Sequence, residues 1–435
     1  MKITTGDILK YLIITIIFLM LFVLGFLMSG LLTKNGEKQE TKKENLFPEG
    51  GESVNTQTDT PSFNNISTME DSDDLNGEDP ELEEDDLVSN QIITFKPLLI
   101  EDKLSVLYIS QTDGHIYLVK NINLIKDNKI NNLEKILISN KTFKDIISAY
   151  WVINNNQITA ILNDKNNSYS LTFSLNDLEE EEEEEIENNN EIEVIKRNLP
   201  IKILEVKDLG GQIFVLSNQL REDDQKITNI KGTVGYLVDS DLNDWQTIFI
   251  SDHKTLTLNP GKQTNNIYIQ NKPSNQFPSF LYRVDLDTGV LQKIMGDILG
   301  GVFLVNPNGT KVLYNEKTNN SFDLKIFNLK NKNNKNLGFK TLIEKCFWVD
   351  ESNFYCAAPE NIYLNNNYPD VWYIGEIPTE DSLLYKYNLE QESFNTSRYW
   401  NNQKNVFNLD IDNQNNILFY QDMMNKNLYL FNILF

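Results

Sequence analysis

The sequence predicts an all-β repeat domain that follows an apolar N-terminal helix and an acidic linker. Three observations support this fold class. A strand–turn–strand unit recurs seven times, a strand with alternating apolar residues follows each unit, and an uncharged apolar run lies near the N-terminus. The two His and two Cys residues are too few for a zinc-finger array or a disulfide-dense scaffold.

The N-terminal region contains a short tail at 1–10 and an uncharged run at 11–32, YLIITIIFLMLFVLGFLMSGLL. As a helix that rises about 1.5 Å per residue, this run reaches roughly 33 Å, enough to cross a hydrocarbon core of about 30 Å. A cleaved secretory signal is the alternative, but its apolar core has about 7 to 15 residues and ends at small residues. The sequence therefore predicts an uncleaved transmembrane helix whose partner is the lipid bilayer.

The charges around this helix give conflicting indications of its orientation. Lysines are more numerous after the span than before it, which by count alone would place the C-terminal side in the cytoplasm. However, those lysines are interleaved with Glu37, Glu40 and Glu44, and large domains are translocated largely regardless of charge. We therefore expect a single-pass protein of the cytoplasmic membrane with an extracytoplasmic C-terminal domain.

Two segments hold most of the negative charge. Within the linker at 33–90, positions 37–90 carry 17 Asp and Glu against three Lys, and an insertion at 179–193 contains ten Glu. Such segments have too little apolar surface to offset the entropy of ordering, so we expect a disordered acidic linker and an exposed loop. Because the sequence has no run rich in Lys or Arg, nucleic acid is not an expected partner.

The repeat occupies residues 91–435. A fourth strand follows the third in six units but not in the seventh, because the chain ends at Phe435. Four antiparallel strands per unit, at a period of about fifty residues, indicate a seven-bladed β-propeller, with a two-layer sandwich as the alternative. We expect the segment QIITFKP at 91–97 to supply the missing strand and close the ring. The units begin at Leu98, Trp151, Leu204, Leu256, Phe303, Phe347 and Leu409.

Several motifs carry a resemblance to known propellers. PNGTKVLYN from Pro307 and LYRVDLDTGVLQKI at 281–294 resemble the repeat of TolB-like and WD40-like bacterial propellers. The apolar anchor, LFPEG at 46, TDGHIY at 112, and YCAAPENIY with DVWYIGEIPTEDSLLYKYNL within 355–389 resemble an uncharacterised bacterial family of single-pass membrane-anchored propellers. The resemblance implies the anchor and the propeller, and it carries over no catalytic residue.

The two cysteines flank a short turn in KCFWVDESNFYC. If Val349 pairs with Asn353, counting outward places Cys346 opposite Cys356, at a Cα separation within reach of a disulfide. Such a bond would persist outside the cytoplasm and not inside it, whereas two reduced, buried thiols are the alternative. Cys346 and Cys356 are therefore a candidate disulfide and an indicator of compartment.

Other residues offer little evidence of chemistry. No GxSxG, Walker or GxGxxG motif is present, and neither His115 nor His253 has a nearby Ser or Cys in a recognisable nucleophile setting. We therefore assign no catalytic, cofactor-binding or metal-binding residue. The segment at 367–382 lengthens one repeat interval. Its Trp372 and Tyr373 are candidates for a recognition surface, with packing over the blade as the alternative.

Two functions follow from these observations. The first is a noncatalytic binding or scaffold module of the cell envelope, whose partner is another envelope protein or a polysaccharide. The alternative is an envelope enzyme of the glycosidase or lyase type that uses carboxylates in the propeller funnel, because paired carboxylates suffice for glycoside cleavage.

Overall fold

A computed structural model gives the fold of the chain. The chain divides into two units, residues 1–71 and 72–435, and all described residues belong to the second. The described residues are 86–89, 91–122, 133–143, 145–154, 156–178, 192–221, 232–259, 266–318, 322–359, 367–376, 381, 383–397, 404–412 and 416–433.

Within these ranges the strands form seven four-stranded antiparallel sheets, which confirms the predicted seven-bladed β-propeller. The first four blades contain β2 (Ile92–Ile100), β3 (Lys103–Ser110), β4 (Ile116–Lys120), β5 (Glu134–Ser139), β6 (Ser148–Asn154), β7 (Gln157–Asn163), β8 (Ser168–Ser174), β9 (Ile195–Asn198), β10 (Ile203–Asp208), β11 (Gln212–Ser217), β12 (Thr233–Asp239), β13 (Trp245–Ser251), β14 (Leu256–Leu258), β15 (Ile267–Asn271), β16 (Pro278–Val284) and β17 (Leu291–Leu299).

The remaining blades follow the same order of strands within each sheet. They contain β18 (Phe303–Val305), β19 (Lys311–Lys317), β20 (Phe322–Asn328), β21 (Asn334–Asn336), β22 (Cys346–Trp348), β23 (Asn353–Ala358), β24 (Leu383–Asn388), β25 (Ser393–Ser397), β26 (Val406–Asp412), β27 (Ile417–Asp422), β28 (Leu428–Asn432) and β1 (Asp86–Val88). A four-residue helix, α1 (Asp370–Tyr373), lies between β23 and β24.

The second strand of each blade is buried on both faces. In β3 and β7 every residue after the first is buried, and in β27 every residue is buried. The apolar clusters therefore lie between neighbouring blades: Val106 and Tyr108 of blade 1, for example, pack with Phe419 of blade 7. This two-sided burial explains the short apolar runs without polar alternation in the sequence.

The first strands of the blades surround the central channel. β2, β6, β10 and β14 contact one another in sequence, and β26 contacts both β22 and β2, so the first strands of blades 7 and 1 meet. Within each blade, the loops after the first and third strands lie at one end, which we call the turn end. The loops after the second strand and the links between blades lie at the opposite end, the cap end.

The ring is closed by a strand that precedes the predicted one. β1 pairs with β28, with Asp86 opposite Tyr429 and Val88 opposite Leu428. The prediction that residues 91–97 complete blade 7 is therefore wrong, and so is the placement of Asp86–Val88 in the linker at 33–90. Residues 92–100 form the first strand of blade 1, and Pro97 is accommodated because β2 pairs on only one side.

Two predicted segments fall largely outside the described residues. The acidic insertion at 179–193 lies between β8 and β9, as predicted, but residues 179–191 are not described. The predicted transmembrane helix at 11–32 also lies outside the described ranges. Across the described ranges, no helix has the length and apolar character needed to span a membrane.

The closing strand gives a test of the ring. Leu87 is buried between blades 7 and 1, so Leu87→Ala is expected to lower the free energy of unfolding by about 2–4 kcal/mol, the usual cost of truncating a buried leucine. Ser89→Ala, at an exposed neighbouring position, should change it by less than about 0.5 kcal/mol. Urea denaturation of both variants measures the difference, and equal stability of the two would contradict closure through β1.

Candidate functional site

The two cysteines lie opposite each other on the first two strands of blade 6. Cys346 pairs with Cys356 across β22 and β23, and the Val349 amide donates to the Asn353 carbonyl, so the predicted register is confirmed. The two sulfur atoms are 2.08 Å apart and form a disulfide. The bond joins adjacent strands next to the connection between blades 5 and 6, which places Glu344 and Lys345 immediately before a covalently linked pair of strands.

The candidate recognition residues occupy a short segment at 367–376, which we call the cap. Trp372 is only 3% exposed, so it packs inside the protein, and its assignment to a recognition surface is corrected by this burial. The Trp372 indole Nε1 donates to Asn405 Oδ1 at 3.2 Å. Tyr373 is 36% exposed, and its hydroxyl donates to Glu344 Oε1. Packing over the blade, the predicted alternative, therefore describes Trp372.

The cap extends beyond its own blade. Tyr368, Val371 and Trp372 pack with Phe322 of blade 5, and Phe407 of blade 7 packs against the same cluster. On the other side, the Asn275 amide of blade 4 donates to Asp370 Oδ1 at 3.0 Å. The segment thus joins four blades at the cap end.

Close approach of the cap to blade 5 also requires a glycine. Gly300 has a φ of +65°, and a Cβ built there would lie 3.2 Å from Pro369 Cδ and 3.1 Å from Lys317 Cβ. A side chain at this position would therefore be strained in its backbone and crowded by the cap.

A set of polar side chains lies beneath the cap; four of them are buried, and Glu344 is half-buried with its Oε2 atom inaccessible to solvent. We call Glu344, Lys345, Asp381, Asn405 and Asp422 the buried charge cluster. Lys345 Nζ donates to Asp381 Oδ2 at 2.6 Å and to Asn405 Oδ1 at 3.0 Å, and the Val406 amide donates to Asp381 Oδ2 at 2.8 Å. Burial lowers the pKa of Lys345, against the attraction of Asp381. The ion pair thus joins the segment that follows the cap to the blade 5–6 connection.

Two carboxylate oxygens of this cluster have no hydrogen-bond donor among the described residues. They are Asp381 Oδ1 and Glu344 Oε2, and both atoms are inaccessible to solvent. Burial raises the pKa of Asp381 to about 6, although Lys345 opposes the shift, and burial raises the pKa of Glu344 to about 7. A buried oxygen without a donor favours the protonated carboxyl group.

The outer surface of the cap end bears exposed apolar side chains. Phe277 in blade 4, Ile374 in the cap and Met424 in blade 7 are 66%, 67% and 61% exposed, and all three lie on loops that follow a second strand. The neighbouring Asn275 and Met423 contact the cap or its underlying cluster, so these loops are adjacent to it. Three exposed apolar side chains from separate blades therefore lie in or beside the cap.

Two titratable side chains share one face of the inner strand β10. Glu205 Oε2 accepts a hydrogen bond from the Leu258 amide of blade 4, and Lys207 Nζ donates to the Asn259 carbonyl at 3.5 Å. Burial raises the pKa of Glu205 to about 7 and lowers that of Lys207 to about 7. The pair therefore combines a carboxyl group and an amine that both titrate near neutrality.

Other charged side chains of the inner strands also connect adjacent blades. Lys96 Nζ lies 3.5 Å from Asp410 Oδ2 between blades 1 and 7, and the Ile153 amide of blade 2 donates to Asp208 Oδ2 at 3.2 Å. Like Glu205, the carboxylates of Asp208 and Asp410 are engaged by the neighbouring blade.

Both histidines lie near turns at the cap end. His115 Nε2 lies 3.0 Å from Thr142 Oγ1, whereas the His253 carbonyl accepts a hydrogen bond from Thr233 Oγ1 at 2.6 Å. Across the described part of the chain, no group of three or more His, Cys, Asp and Glu side chains could hold a metal ion.

Sequence reasoning did not single out Glu205, Lys207, Lys345 or Asp381. Glu205 and Lys207 did leave a local signal, because charged residues at alternating positions share one face of a strand. Lys345 and Asp381 are separated by 36 positions, and no local pattern links them. Only the position of the cap over the blade 5–6 connection brings this pair together.

Comparisons with known proteins gave matches among solved structures alone. No protein-family model matches the chain, and no curated protein matches it. Among solved structures, the chain is similar to TolB from Acinetobacter baumannii, with 11% identity, a TM-score of 0.36 and 78% of each chain covered.

Two further structures show the same limited likeness. The Dos1 propeller shares 9% identity at a TM-score of 0.45, with 81% of this chain and 96% of that chain covered. An oligogalacturonate lyase in complex with manganese shares 11% identity at a TM-score of 0.38, with 70% of this chain and 76% of that chain covered. TolB and the Dos1 propeller are thus among the structural neighbours of this chain, while the seven-bladed fold itself is shown by its seven four-stranded sheets.

The buried ion pair can be tested by removing its cation. Lys345→Met leaves the carboxylate of Asp381 buried without its partner, so the free energy of unfolding is expected to fall by about 3–5 kcal/mol. Lys340→Met, at an exposed position of the same connection, should have an effect below about 0.5 kcal/mol.

A double variant separates loss of the pair from loss of packing. Lys345→Met combined with Asp381→Leu removes both charges, and it should recover much of the lost stability in the same urea denaturation. A double variant as unstable as the sum of its two single changes would show that the two side chains do not interact.

Proposed function

We propose that this chain is a membrane-anchored, extracytoplasmic β-propeller that acts as a noncatalytic binding or scaffold module of the bacterial cell envelope. Residues 11–32 cross the cytoplasmic membrane, residues 33–85 form the tether, and the propeller presents its cap end to a partner. Another envelope protein is the favoured partner over a polysaccharide, because the exposed groups Ile374 and Met424 are aliphatic and lack a ring face for stacking on a sugar.

The observation that carries this proposal is the apolar surface around the cap. Phe277, Ile374 and Met424 are each largely exposed, and they come from blades 4, 6 and 7. The buried ion pair and the Trp372 side chain beneath them attach the closed cap to the blades below it, so the exposed groups are held in position. An apolar surface whose groups are already in position loses little entropy when a partner binds.

The charged residues of the channel support a noncatalytic role. Three carboxylates bind groups of an adjacent blade: Asp208 and Glu205 accept backbone hydrogen bonds, and Asp410 pairs with Lys96. These carboxylates therefore connect neighbouring blades. A carboxylate held in this way stabilises the ring.

The disulfide supports placement outside the cytoplasm. Cys346 and Cys356 are paired, and structural disulfides persist in oxidising compartments but not in a reducing cytosol. This pairing agrees with export of a large domain that follows an N-terminal anchor.

Partner binding can be tested with matched surface variants. We expect Phe277→Ser, Ile374→Ser and Met424→Ser together to abolish migration of the detergent-extracted chain as a larger complex on native gels, because they remove the apolar contact surface. Leu137→Ser, Ile147→Ser and Ile195→Ser together, which change exposed apolar residues of blades 1 and 2, should leave the complex intact. A wild-type chain that migrates alone would refute the proposed binding role.

Topology can be tested with one introduced cysteine. Ser89 is exposed next to the closing strand, whereas Cys346 and Cys356 are buried and paired, so Ser89→Cys should be the site of reaction with a membrane-impermeant maleimide. We expect labelling in intact cells and none in the wild-type chain. Labelling that requires cell lysis would place the propeller in the cytoplasm, as would native cysteines that react after denaturation without a reductant.

A second candidate function rests on Glu205 and Lys207. Because their pKa values converge near 7, they have the proton affinities expected of a general acid and base, as in an envelope glycosidase or lyase. Release of new reducing ends or unsaturated products from envelope polysaccharide, lost in both Glu205→Gln and Lys207→Met, would establish this alternative. If the wild-type chain releases no product, the enzyme alternative is refuted and the noncatalytic role stands.

A further inference from the structure

The buried charge cluster contains more acidic than basic groups. Glu344, Asp381 and Asp422 contribute three carboxyl groups, and Lys345 contributes one ammonium group. Asp422 also faces Lys426 of the adjacent loop, and Asp381 is paired with Lys345. Glu344 is therefore the carboxyl group whose charge is least compensated within the cluster.

The environment of Glu344 comes from three elements. Lys345 follows it on the blade 5–6 connection, while Tyr373 and Tyr368 face it from the cap. Asp381 and Asp422 face the shared Lys345 from the segment after the cap and from blade 7. The Tyr373 hydroxyl donates to Glu344 Oε1, so Glu344 contacts the cap directly, whereas Oε2 is buried without a donor.

Protonation changes the chemistry of this carboxyl group. An ionised Glu344 leaves a buried, negatively charged Oε2 without a partner, whereas a protonated one removes the charge and can itself donate a hydrogen bond. When the cap separates from the blade 5–6 connection, water reaches Glu344 and the ionised form is no longer penalised. Proton uptake is therefore linked to closure of the cap.

We propose that Glu344 is a proton-sensitive clasp, which holds the cap closed in mildly acidic medium and weakens its attachment as the pH rises. This inference concerns the cap itself and is independent of whether its outer surface binds a partner. The cap packs against Phe322 of blade 5 and donates a hydrogen bond to Asn405 of blade 7. Its contact with Glu344 is made by Tyr373.

The direction of the pH effect follows from the two states. Glu344 has an ordinary pKa of 4.5 when exposed to water, and burial beneath the closed cap raises it to about 7. The closed state therefore binds the proton more tightly, so closure is favoured at low pH and is progressively lost as the pH rises from 4.5 through 7. Above pH 7 the closed cap holds an ionised carboxylate whose Oε2 atom is buried without a donor.

Hydrogen exchange of the full-length chain tests this clasp. Amides of Trp372, Ile374 and Gly375 donate within the cap, so a peptide that covers 367–376 reports its opening. After correction for intrinsic exchange rates, we expect opening to be about tenfold to a hundredfold more frequent at pH 8 than at pH 5.5. A peptide from β7 and β8 of blade 2 should show no such change.

Two matched variants separate Glu344 from other titrations. Glu344→Gln retains the acceptor for Tyr373 and stays uncharged, so most of the pH dependence of cap exchange should be lost, leaving only the smaller part that Asp381 contributes. Glu376→Gln removes a carboxylate from an exposed position of the same cap, and it should retain the wild-type pH dependence. A cap that exchanges at the same corrected rate at both pH values in the wild-type chain, or a pH dependence that is undiminished in Glu344→Gln, would overturn the proposal.

Discussion

Burial of every blade against two neighbours is the constraint on which this structure depends. A single four-stranded sheet with two apolar faces is not stable alone in water, so each blade needs a partner on both sides. Only a closed ring provides this for the first and last blades. The three residues of β1 meet the requirement, because they complete blade 7 from the opposite end of the domain and bury Leu87 and Val88 at the joint with blade 1.

The same constraint shapes the polar interior. Residues on the inner strands face the joints between blades, so their charged groups contact the adjacent blade: Lys96 approaches Asp410, and Glu205 accepts from Leu258. The cap contacts four blades, and beneath it apolar packing is supplemented by the pair of Lys345 and Asp381. A buried ion pair adds little net stability but disfavours arrangements that leave either charge unpaired, so it specifies where the cap attaches.

Much of the fold could be predicted because strand periodicity is a local property. Seven units, their third strands and the pairing of Cys346 with Cys356 all follow from residue spacing within one hairpin or one blade. The closing strand could not be assigned in this way, because it has only three residues and follows an acidic run. The first strand of blade 1 was also missed, because Pro97 interrupts its pattern of strand-forming residues. Val88 of β1 pairs with Leu428, which lies 340 positions further along the chain. Closure of the ring brings these two residues together.

The sequence by itself determined the number of blades, the order of strands and the cysteine register, because each depends on alternation and turn residues within about fifty positions. Tertiary structure alone decided which residues close the ring, that Trp372 lies inside, and that Glu344 and Asp381 share one buried cluster. These outcomes depend on how blades distant in sequence pack against one another. A side chain's burial, and with it the proton affinity of a carboxyl group, is set by that packing and has no local signature in the chain.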